Sequence, residues 1–332
     1  MDNVTHTLTG LMLARIGIDR WCPRAAALLM LASNAPDADI VMRIGDSITY
    51  LDYHRHLTHA LASAPAVAIL PVLVVRLFSR GPFPWLRSLV VSLIGVLFHL
   101  GFDATNMYGV RLALPASAKW YQLDLLSVVD PWILGVLFLC VAAPAISKLV
   151  NSEIGGRGGP GRGWAAFALL FVALYTGARV MLHQRAIATL DARMYLGEEP
   201  KRVAAWPTPF NPSRWIGYAE GKNFQTMHDL NLNDEFDPLA GRVFYRPENQ
   251  AALGAARKTA TMERFLRFAQ YPIWRITPLA EPQGALQVEA SDLRFGQPPA
   301  MRFIVTVVLD QNLSVMSEDF RFGMTTMDRT SR

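Results

Sequence analysis

Long apolar segments, all within the first 182 residues, limit the fold of this chain more than any other feature. Four of them approach the roughly 20 apolar residues that a helix needs to cross a bilayer, at residues 57–75, 86–102, 131–147 and 164–182. Two shorter runs, at residues 8–18 and 25–35, suit a buried or re-entrant helical hairpin. The pattern predicts an α-helical integral membrane domain with about four spans and an N-terminal helical hairpin.

The rest of the chain has a different composition and pattern. Charged residues are scarce before about residue 180 and ordinary after it, where short runs of β-branched and aromatic residues alternate with turns. The runs at 242–245, 273–276, 286–289 and 302–309 are predicted strands. We therefore expect a membrane domain at 1–182 and a smaller β-rich extramembrane domain at 183–332. The aromatic stretch 206–215 is interpreted as a belt at the membrane interface in preference to a lid.

Charge gives the expected partners and orientation. The formal net charge of +5 comes without a dense Lys/Arg run, so a lipid bilayer is the expected partner and no nucleic acid is. Basic loops at 76–87 and 148–162 are placed in the cytoplasm by the positive-inside rule. The loop at 106–130 and the chain after residue 183 then lie on the outer, periplasmic side of a bacterial inner membrane. The two cysteines, Cys22 and Cys140, lie in or beside apolar segments and predict neither a metal site nor a disulfide framework.

Side chains that bind metals recur at the ends of the apolar segments. Because the segments run alternately inward and outward, these ends are predicted to meet at one membrane face. The residues concerned are His6, Asp37, Asp39, His54, His59, His99 and Asp103. His99 and Asp103 stand four residues apart, so on a helix they share a face and can bind one ion.

Imidazole and carboxylate groups without thiolates suit catalytic zinc, with manganese or iron as alternatives. Asp39 is assigned as a catalytic general base, and a role as a ligand or a loop cap stays open. The predicted divalent-metal ligands are His6, Asp37, His54, His59, His99 and Asp103.

Four further residues are candidates for substrate binding, each with a structural alternative. Arg55 binds a phosphate or anchors the chain at the membrane interface. Asn106 and Tyr108 orient the substrate or form an ordinary helix end. Asp130 contacts the substrate or caps the third span, since Asp before Pro is a favourable helix start.

Four sequence blocks resemble the YdjM-like membrane-bound metal-dependent hydrolases in order and spacing. The blocks are THTLTG (5–10), NAPDAD (34–39), HRHLTHA (54–60) and HLGFDATNMYG (99–109). The resemblance implies a hydrolase of a phosphate ester, distantly similar to zinc-dependent phospholipase C and nucleases of the P1 type. It carries over the same six metal residues. His56 and Ala60 depart from the family pattern, where a small residue and Ser are usual, but neither change removes a ligand.

These observations predict a membrane-bound metal-dependent hydrolase that acts on an amphiphilic phosphate ester, such as a phospholipid or a lipid-linked phosphate. A divalent-metal transporter is an alternative, although ligands at one membrane face count against it. A haem-binding electron carrier is disfavoured by the carboxylates beside the histidines. A non-catalytic membrane scaffold is the remaining alternative.

Overall fold

The computed structural model describes residues 1–153 and 161–326. The first part of the chain is helical, and short 3₁₀ segments cover Ala35–Ile44, Leu57–His59 and Leu61–Ser63. Its α-helices are α1 (Asn3–Leu13), α2 (Asp19–Trp21), α3 (Ala25–Ala32), α4 (Ser47–Tyr53), α5 (Ala64–Val67), α6 (Ile69–Leu77), α7 (Trp85–Thr105), α8 (Pro131–Glu153) and α9 (Arg162–Asp191). Residues 154–160 of the predicted basic loop lie outside the described residues.

Two helices, α7 and α9, are long and apolar enough to cross a bilayer. Two bent pairs each add a span if the pair is counted as one: Ala25–Ala32 with Ala35–Ile44, bent by 45°, and Ser47–His59 with Leu61–Leu77, bent by 60°. The described residues therefore contain two candidate spans, or up to four, where the sequence predicts about four. The apolar part of α8, Pro131–Pro144, is shorter than a full span.

The segment predicted as one span at 57–75 is not a continuous helix. It divides into two 3₁₀ turns followed by α5 and α6. Ala60 is extended (φ −83°, ψ 142°), and the next amide, on Leu61, donates to the carbonyl of Leu112 outside the segment. Pro65 follows in the first turn of α5, where its missing N–H costs no helical hydrogen bond. The hydropathy pattern thus predicted correctly that the segment is apolar, but the prediction of one continuous helix was wrong.

Glycines let the N-terminal helices approach closely. A Cβ atom on Gly10 of α1 would lie 2.7 Å from the carbonyl oxygen of Leu29 on α3. A Cβ atom on Gly95 of α7 would lie 2.7 Å from the Cβ of Ala32, also on α3. Small residues at such contacts are typical of helices that pack in membranes. Helix α3 is therefore held between α1 and α7, with its C-terminal end close to the C-terminal half of α7.

The second part of the chain has two antiparallel sheets. The middle sheet, in the order β1-β2-β3-β4, contains β1 (Arg202–Pro207), β2 (Arg214–Glu220), β3 (Phe224–Asn231) and β4 (Arg242–Tyr245). The C-terminal unit, defined here as α10 to β9, contains α10 (Gln250–Arg257), α11 (Ala260–Phe268), β5 (Pro272–Pro278), β6 (Leu286–Asp292), β7 (Gly296–Gln297), β8 (Ala300–Leu309) and β9 (Val315–Thr326). In this unit, β8 pairs with β6, β7 and β9.

The four predicted strands are confirmed as β4, β5, β6 and β8. The prediction missed β1 to β3, β7, β9 and both helices of the C-terminal unit. The interpretation of 206–215 as a membrane belt is wrong for its two tryptophans, because Trp206 on β1 and Trp215 on β2 are buried in the protein core. Helix α9 also continues to Asp191, past the expected domain boundary at residue 182.

The C-terminal unit docks on the helical part through α4. Leu51 of α4 is buried in the same core cluster as Phe265 of α11 and Val305 of β8. Beside it, Arg267 donates to both oxygens of Asp52, at 3.0 and 2.6 Å. Because His54 directly follows α4, this docking places the C-terminal unit next to the predicted metal ligands.

Candidate metal centre

The ligand-type residues converge because three segments of the chain meet at the same place. His99 and Asp103 lie one turn apart on α7, and both are buried. Asp37 lies at the start of the 3₁₀ segment that follows α3, with Pro36 in its first turn. His59 ends the 3₁₀ turn Leu57–His59. We call Asp37, His59, His99 and Asp103 the tetrad, since one ligand atom from each lies within 4.8 Å of all the others.

The distances inside the tetrad match those around a tetrahedral ion. His59 Nε2 lies 3.1 Å from His99 Nε2 and 3.5 Å from both Asp37 Oδ1 and Asp103 Oδ2. His99 Nε2 lies 3.7 Å from Asp37 Oδ1 and 3.4 Å from Asp103 Oδ2. Tetrahedral zinc with bonds of about 2.1 Å to nitrogen and oxygen requires ligand–ligand separations of about 3.4 Å. These five separations, of 3.1 to 3.7 Å, are therefore close to those that such a site requires.

The imidazole protonation pattern also favours a cation. His99 Nδ1 lies 2.8 Å from the carbonyl oxygen of Ser33, which can only accept, so Nδ1 carries the proton. On the far side of His59, Nδ1 faces Thr58 Oγ1 at 3.0 Å and Asp39 Oδ2 at 3.5 Å. When both Nδ1 atoms carry protons, the two Nε2 lone pairs are free to bind a cation, and orienting contacts of this kind are common around metal-bound histidines.

A second group of possible ligands shares one residue with the tetrad. Asp37, Asp39 and His54 also bring one ligand atom each within 4.8 Å of one another. Asp37 belongs to both groups, so its carboxylate lies between the tetrad and His54. Of the six predicted ligands, five thus fall into one group or the other.

His6 lies beside the tetrad and outside both groups. Its ring stacks on His99 with centroids 4.0 Å apart, and its Nε2 lies 3.3 Å from Asp103 Oδ1. The α-amino nitrogen of Met1 also contacts Asp103. These contacts are those of groups that orient a metal ligand, and a direct ligand role for His6 stays a prediction.

Asp39, the predicted general base, is buried and surrounded by donors. Its Oδ2 accepts from the backbone N–H of Arg55 at 2.8 Å and from Thr58 Oγ1 at 3.3 Å. Its Oδ1 lies 3.0 Å from His54 Nδ1. Both oxygens therefore have partners, an arrangement that suits a residue that positions His54 and His59. The base role is a prediction that these contacts do not favour.

Arg55 is buried inside the site, so the alternative of an interfacial anchor does not describe it. One terminal nitrogen, Nη2, lies 2.9 Å from Asp103 Oδ2. The other, Nη1, donates to Asn106 Oδ1 at 3.2 Å and to the carbonyl of Gly109 at 3.1 Å. Its backbone is left-handed (φ 56°), a strained conformation for a non-glycine residue and one that is concentrated at functional sites.

Asn106 and Tyr108 hold this guanidinium. Asn106 is fully buried, and its Oδ1 accepts from Arg55 and from the backbone N–H of Tyr108 at 2.9 Å. The Tyr108 ring lies under the guanidinium, with the Arg55 Cζ 4.6 Å from the ring centroid. The structure thus brings together three of the four predicted substrate-binding residues.

Asp130, the fourth, has the contacts of a helix cap. Its Oδ1 accepts from the backbone N–H groups of Trp132 and Ile133 at the start of α8, and its Oδ2 accepts from the Tyr175 hydroxyl at 3.3 Å. These partners belong to α8 and α9 rather than to the metal site. A substrate contact by Asp130 therefore stays a prediction without support from its surroundings.

Access to the site is uneven. The side chains of Asp37 and His54 are 17% and 14% exposed, whereas those of His59, His99 and Asp103 are fully buried. The site therefore opens along the edge formed by Asp37 and His54.

Apolar side chains border this open edge. The 3₁₀ segment that carries Asp37 continues into Ile40, Val41 and Met42, all exposed. In the 3₁₀ turns around His59, Leu57 and Leu61 are also exposed. Exposed apolar residues on the segments that carry a buried polar site are expected where the site faces lipid.

The sequence analysis missed the residues that orient the tetrad. Ser33 and Thr58 lie within or next to the blocks NAPDAD and HRHLTHA, so their position was a usable signal. The backbone carbonyl of Ser33 acts independently of the side-chain type, which no residue pattern reports.

Comparison with known proteins covers both parts of the chain. The family model described as "YdjM inner membrane protein" matches residues 1–186, and the model described as "YfhP C-terminal alpha/beta plait domain" matches residues 251–325. The chain is 25% identical to the "Uncharacterized protein YfhP" of Bacillus subtilis (strain 168) over 330 residues, covering 96% of this chain and 94% of that protein. No solved structure gives a significant match.

Proposed function

Since the chain belongs to the YdjM inner membrane protein family, we propose that it is a membrane-bound metal-dependent hydrolase that cleaves an amphiphilic phosphate ester. The observation that carries the proposal is the tetrad, whose ligand atoms already have the separations of a tetrahedral site. Asp37, His59, His99 and Asp103 hold the ion, which is zinc in our proposal, with manganese or iron as alternatives.

When bound, such an ion would supply Lewis-acid chemistry by expanding beyond the four tetrad ligands to polarise water and to stabilise charge on a phosphoryl oxygen. Arg55 supplies a second positive charge beside it, because Nη2 lies against the ligand Asp103. The Nε of Arg55 has no hydrogen-bond partner among the described residues. A phosphoryl group next to the tetrad would give this nitrogen a partner, and guanidinium groups match phosphate geometry well.

The proposed substrate is amphiphilic because of the surroundings of the open edge. A phosphate head group reaching Asp37 and His54 would leave its apolar chains against Ile40, Val41 and Leu57. Contact with these side chains would add binding free energy of about 25 cal/mol per Å² of apolar surface removed from water. A phospholipid or a lipid-linked phosphate fits this description.

The test of the metal centre is elemental analysis of detergent-purified protein. We expect near-stoichiometric zinc, manganese or iron in the wild type and its loss in His59→Ala and Asp103→Ala. His183→Ala is the matched control, since His183 lies on α9 next to Trp215 and away from the tetrad. A wild type that takes up no divalent metal after reconstitution contradicts the proposal.

The substrate class has a separate test. Metal-loaded protein is compared on a phospholipid, a lipid-linked phosphate and a soluble phosphate ester. We expect turnover of a lipid substrate that is lost with Asp103→Ala. Hydrolysis of soluble esters alone would remove the lipid part of the proposal and keep the hydrolase.

A further inference from the structure

The C-terminal unit places one arginine against the turn that follows α7. Arg294 lies in the short 3₁₀ turn after β6 and is only 3% exposed. Inside its own unit, Nη2 donates to Asp292 Oδ2 at 2.7 Å and to the carbonyl of Phe268 at 3.0 Å. The ion pair with Asp292 is fully buried, so the guanidinium is fixed in charge and direction.

The remaining terminal nitrogen of Arg294 reaches into the helical part of the chain. Nη1 donates to the carbonyl oxygens of Met107 at 3.0 Å and Tyr108 at 3.3 Å, and to Gln122 Oε1 at 3.1 Å. Within residues 1–153 and 161–326, Arg294 is the donor found for both backbone carbonyls. A residue of one unit therefore fixes a turn that belongs to the other.

That turn carries the groups that hold Arg55. The Tyr108 ring contacts the Arg55 guanidinium and also two rings of the C-terminal unit. Its centroid lies 5.0 Å from that of Phe268 and 5.5 Å from that of Phe295. Contacts thus run without a gap from Arg294, through Tyr108, to Arg55 beside the tetrad ligand Asp103.

We propose that the C-terminal unit is a working part of the hydrolase, with Arg294 as a positioning residue that holds the turn at Met107 and Tyr108 so that Arg55 faces the phosphoryl group. The inference rests on the proposed function for the identity of that group. The left-handed backbone of Arg55 makes such support necessary, because a strained residue keeps its conformation only when its surroundings enforce it.

Arg294→Lys is the informative substitution. Lysine keeps the charge beside Asp292 and so avoids an unpaired buried carboxylate. The single ammonium group of lysine cannot replace the two terminal nitrogens of arginine, one of which donates to Asp292 and the other to the carbonyls of Met107 and Tyr108. Arg302→Lys is the matched control, since Arg302 is an exposed arginine on β8 of the same unit.

The first measurement is amide hydrogen exchange on the full-length protein in detergent, which needs neither metal nor substrate. The amides of Tyr108 and Val110 are protected by Asn106 Oδ1 and the carbonyl of Tyr121. We expect their exchange to be at least tenfold faster in Arg294→Lys and unchanged in Arg302→Lys. Unchanged exchange in folded Arg294→Lys overturns the proposal.

The second measurement is the affinity of the zinc-loaded protein for inorganic phosphate, by calorimetry. We expect about tenfold weaker binding in Arg294→Lys with the zinc content of the wild type. Tyr108→Leu breaks the same chain of contacts and leaves Asp292 paired. It replaces Arg294→Lys in this comparison if Arg294→Lys does not fold. Faster exchange with unchanged phosphate affinity means a merely structural contact and also overturns the proposal.

The two proposals fail in different ways. Wild type that binds zinc but no phosphate contradicts the phosphate-ester substrate of the proposed function, and the exchange comparison then still decides whether Arg294 holds the turn. Wild type that binds phosphate with the same affinity as folded Arg294→Lys leaves the proposed function intact and removes the positioning role.

Discussion

Asp39 shows how the surroundings of one carboxylate separate a metal ligand from a residue that orients ligands. Its oxygens contact Arg55, Thr58 and His54, and Asp39 is not one of the four tetrad residues, so we assign it to the groups that orient ligands. An orienting partner of this kind changes metal affinity by about 10- to 100-fold when it is removed. We expect the loss of a tetrad residue to abolish stoichiometric binding instead.

We therefore predict that Asp39→Asn weakens zinc binding by about 10- to 100-fold and keeps one ion bound at saturation. The dissociation constant is measured by competition with a chelator, beside Asp103→Asn. Asp46→Asn is the control, because Asp46 caps α4 and asparagine caps a helix equally well. If Asp39→Asn lost as much zinc affinity as Asp103→Asn, Asp39 would be a metal ligand.

Asp124 lies outside the candidate spans. Its carboxyl group is buried, so the charged form of the group is destabilised. Its side chain is 8% exposed, and Oδ1 has no hydrogen-bond partner among the described residues. Burial raises the pKa of Asp124 to about 7. Between about pH 4 and pH 7 the folded protein therefore keeps a proton that the unfolded chain releases, so stability falls as pH rises through this window and stays low above it.

Asp124→Asn should remove this pH dependence. Above pH 7 we expect the variant to melt several degrees higher than the wild type. The gain in the free energy of unfolding is at most about 4 kcal/mol, because the pKa of Asp124 is raised by about three units. Below about pH 4 the two proteins should melt together. Asparagine also tolerates the left-handed backbone of this position (φ 55°). A constant difference between pH 4 and pH 9 would contradict the assignment.

At the scale of elements, the packing of α3 against α7 sets the geometry of the tetrad. Gly95 lets the two helices meet, and one turn later His99 reaches the Ser33 carbonyl at the end of α3. A methyl group at Gly95 would lie 2.7 Å from Ala32 Cβ, so the helices would have to separate. Their separation would draw His99 away from Ser33 and Asp37.

We predict that Gly95→Ala lowers both the melting temperature and the zinc content. Gly101→Ala on the same helix is the matched control, because a Cβ atom there meets nothing within 4 Å. Its expected effect is neutral or slightly stabilising, as alanine favours helix by about 1 kcal/mol over glycine. Equal effects of the two substitutions, in thermal melts and metal analysis, would disprove the role of the close contact.

The sequence could predict features that depend on neighbouring residues, but not contacts between residues far apart in the chain. His99 and Asp103 were found because their spacing is local and their helix is regular. The strands β5 and β8 were found because alternation and β-branched residues are local signals too. Arg294 could not be found, since its partners Met107 and Tyr108 are 187 and 186 residues away. The break after His59 was missed because hydropathy averages over turns that Ala60 and Pro65 create.

At the scale of the whole molecule, the candidate metal site and the C-terminal unit lie at the same end of α7. The contacts of Arg294 with Met107 and of Arg267 with Asp52 require this. The loop that connects α6 and α7 lies at the opposite end of α7 from His99. If the predicted orientation holds, the site faces the periplasm and this loop the cytoplasm.

Single cysteines test the orientation. Glu248→Cys should react with a membrane-impermeant maleimide in intact spheroplasts, whereas Arg80→Cys should react only after lysis. Both positions are exposed, and the native Cys22 and Cys140 are buried, so they give little background. The reverse labelling pattern would place the metal centre in the cytoplasm.

The open edge at Asp37 and His54, bordered by exposed Ile40 and Leu57, has a kinetic consequence. A substrate that arrives along this edge diffuses in the plane of the lipid, so its mole fraction in that phase sets the rate of encounter. Adding inert detergent at a fixed bulk amount of substrate should then slow turnover. Diluting the same mixed micelles with buffer should leave the rate per enzyme molecule unchanged, which is the signature of surface dilution.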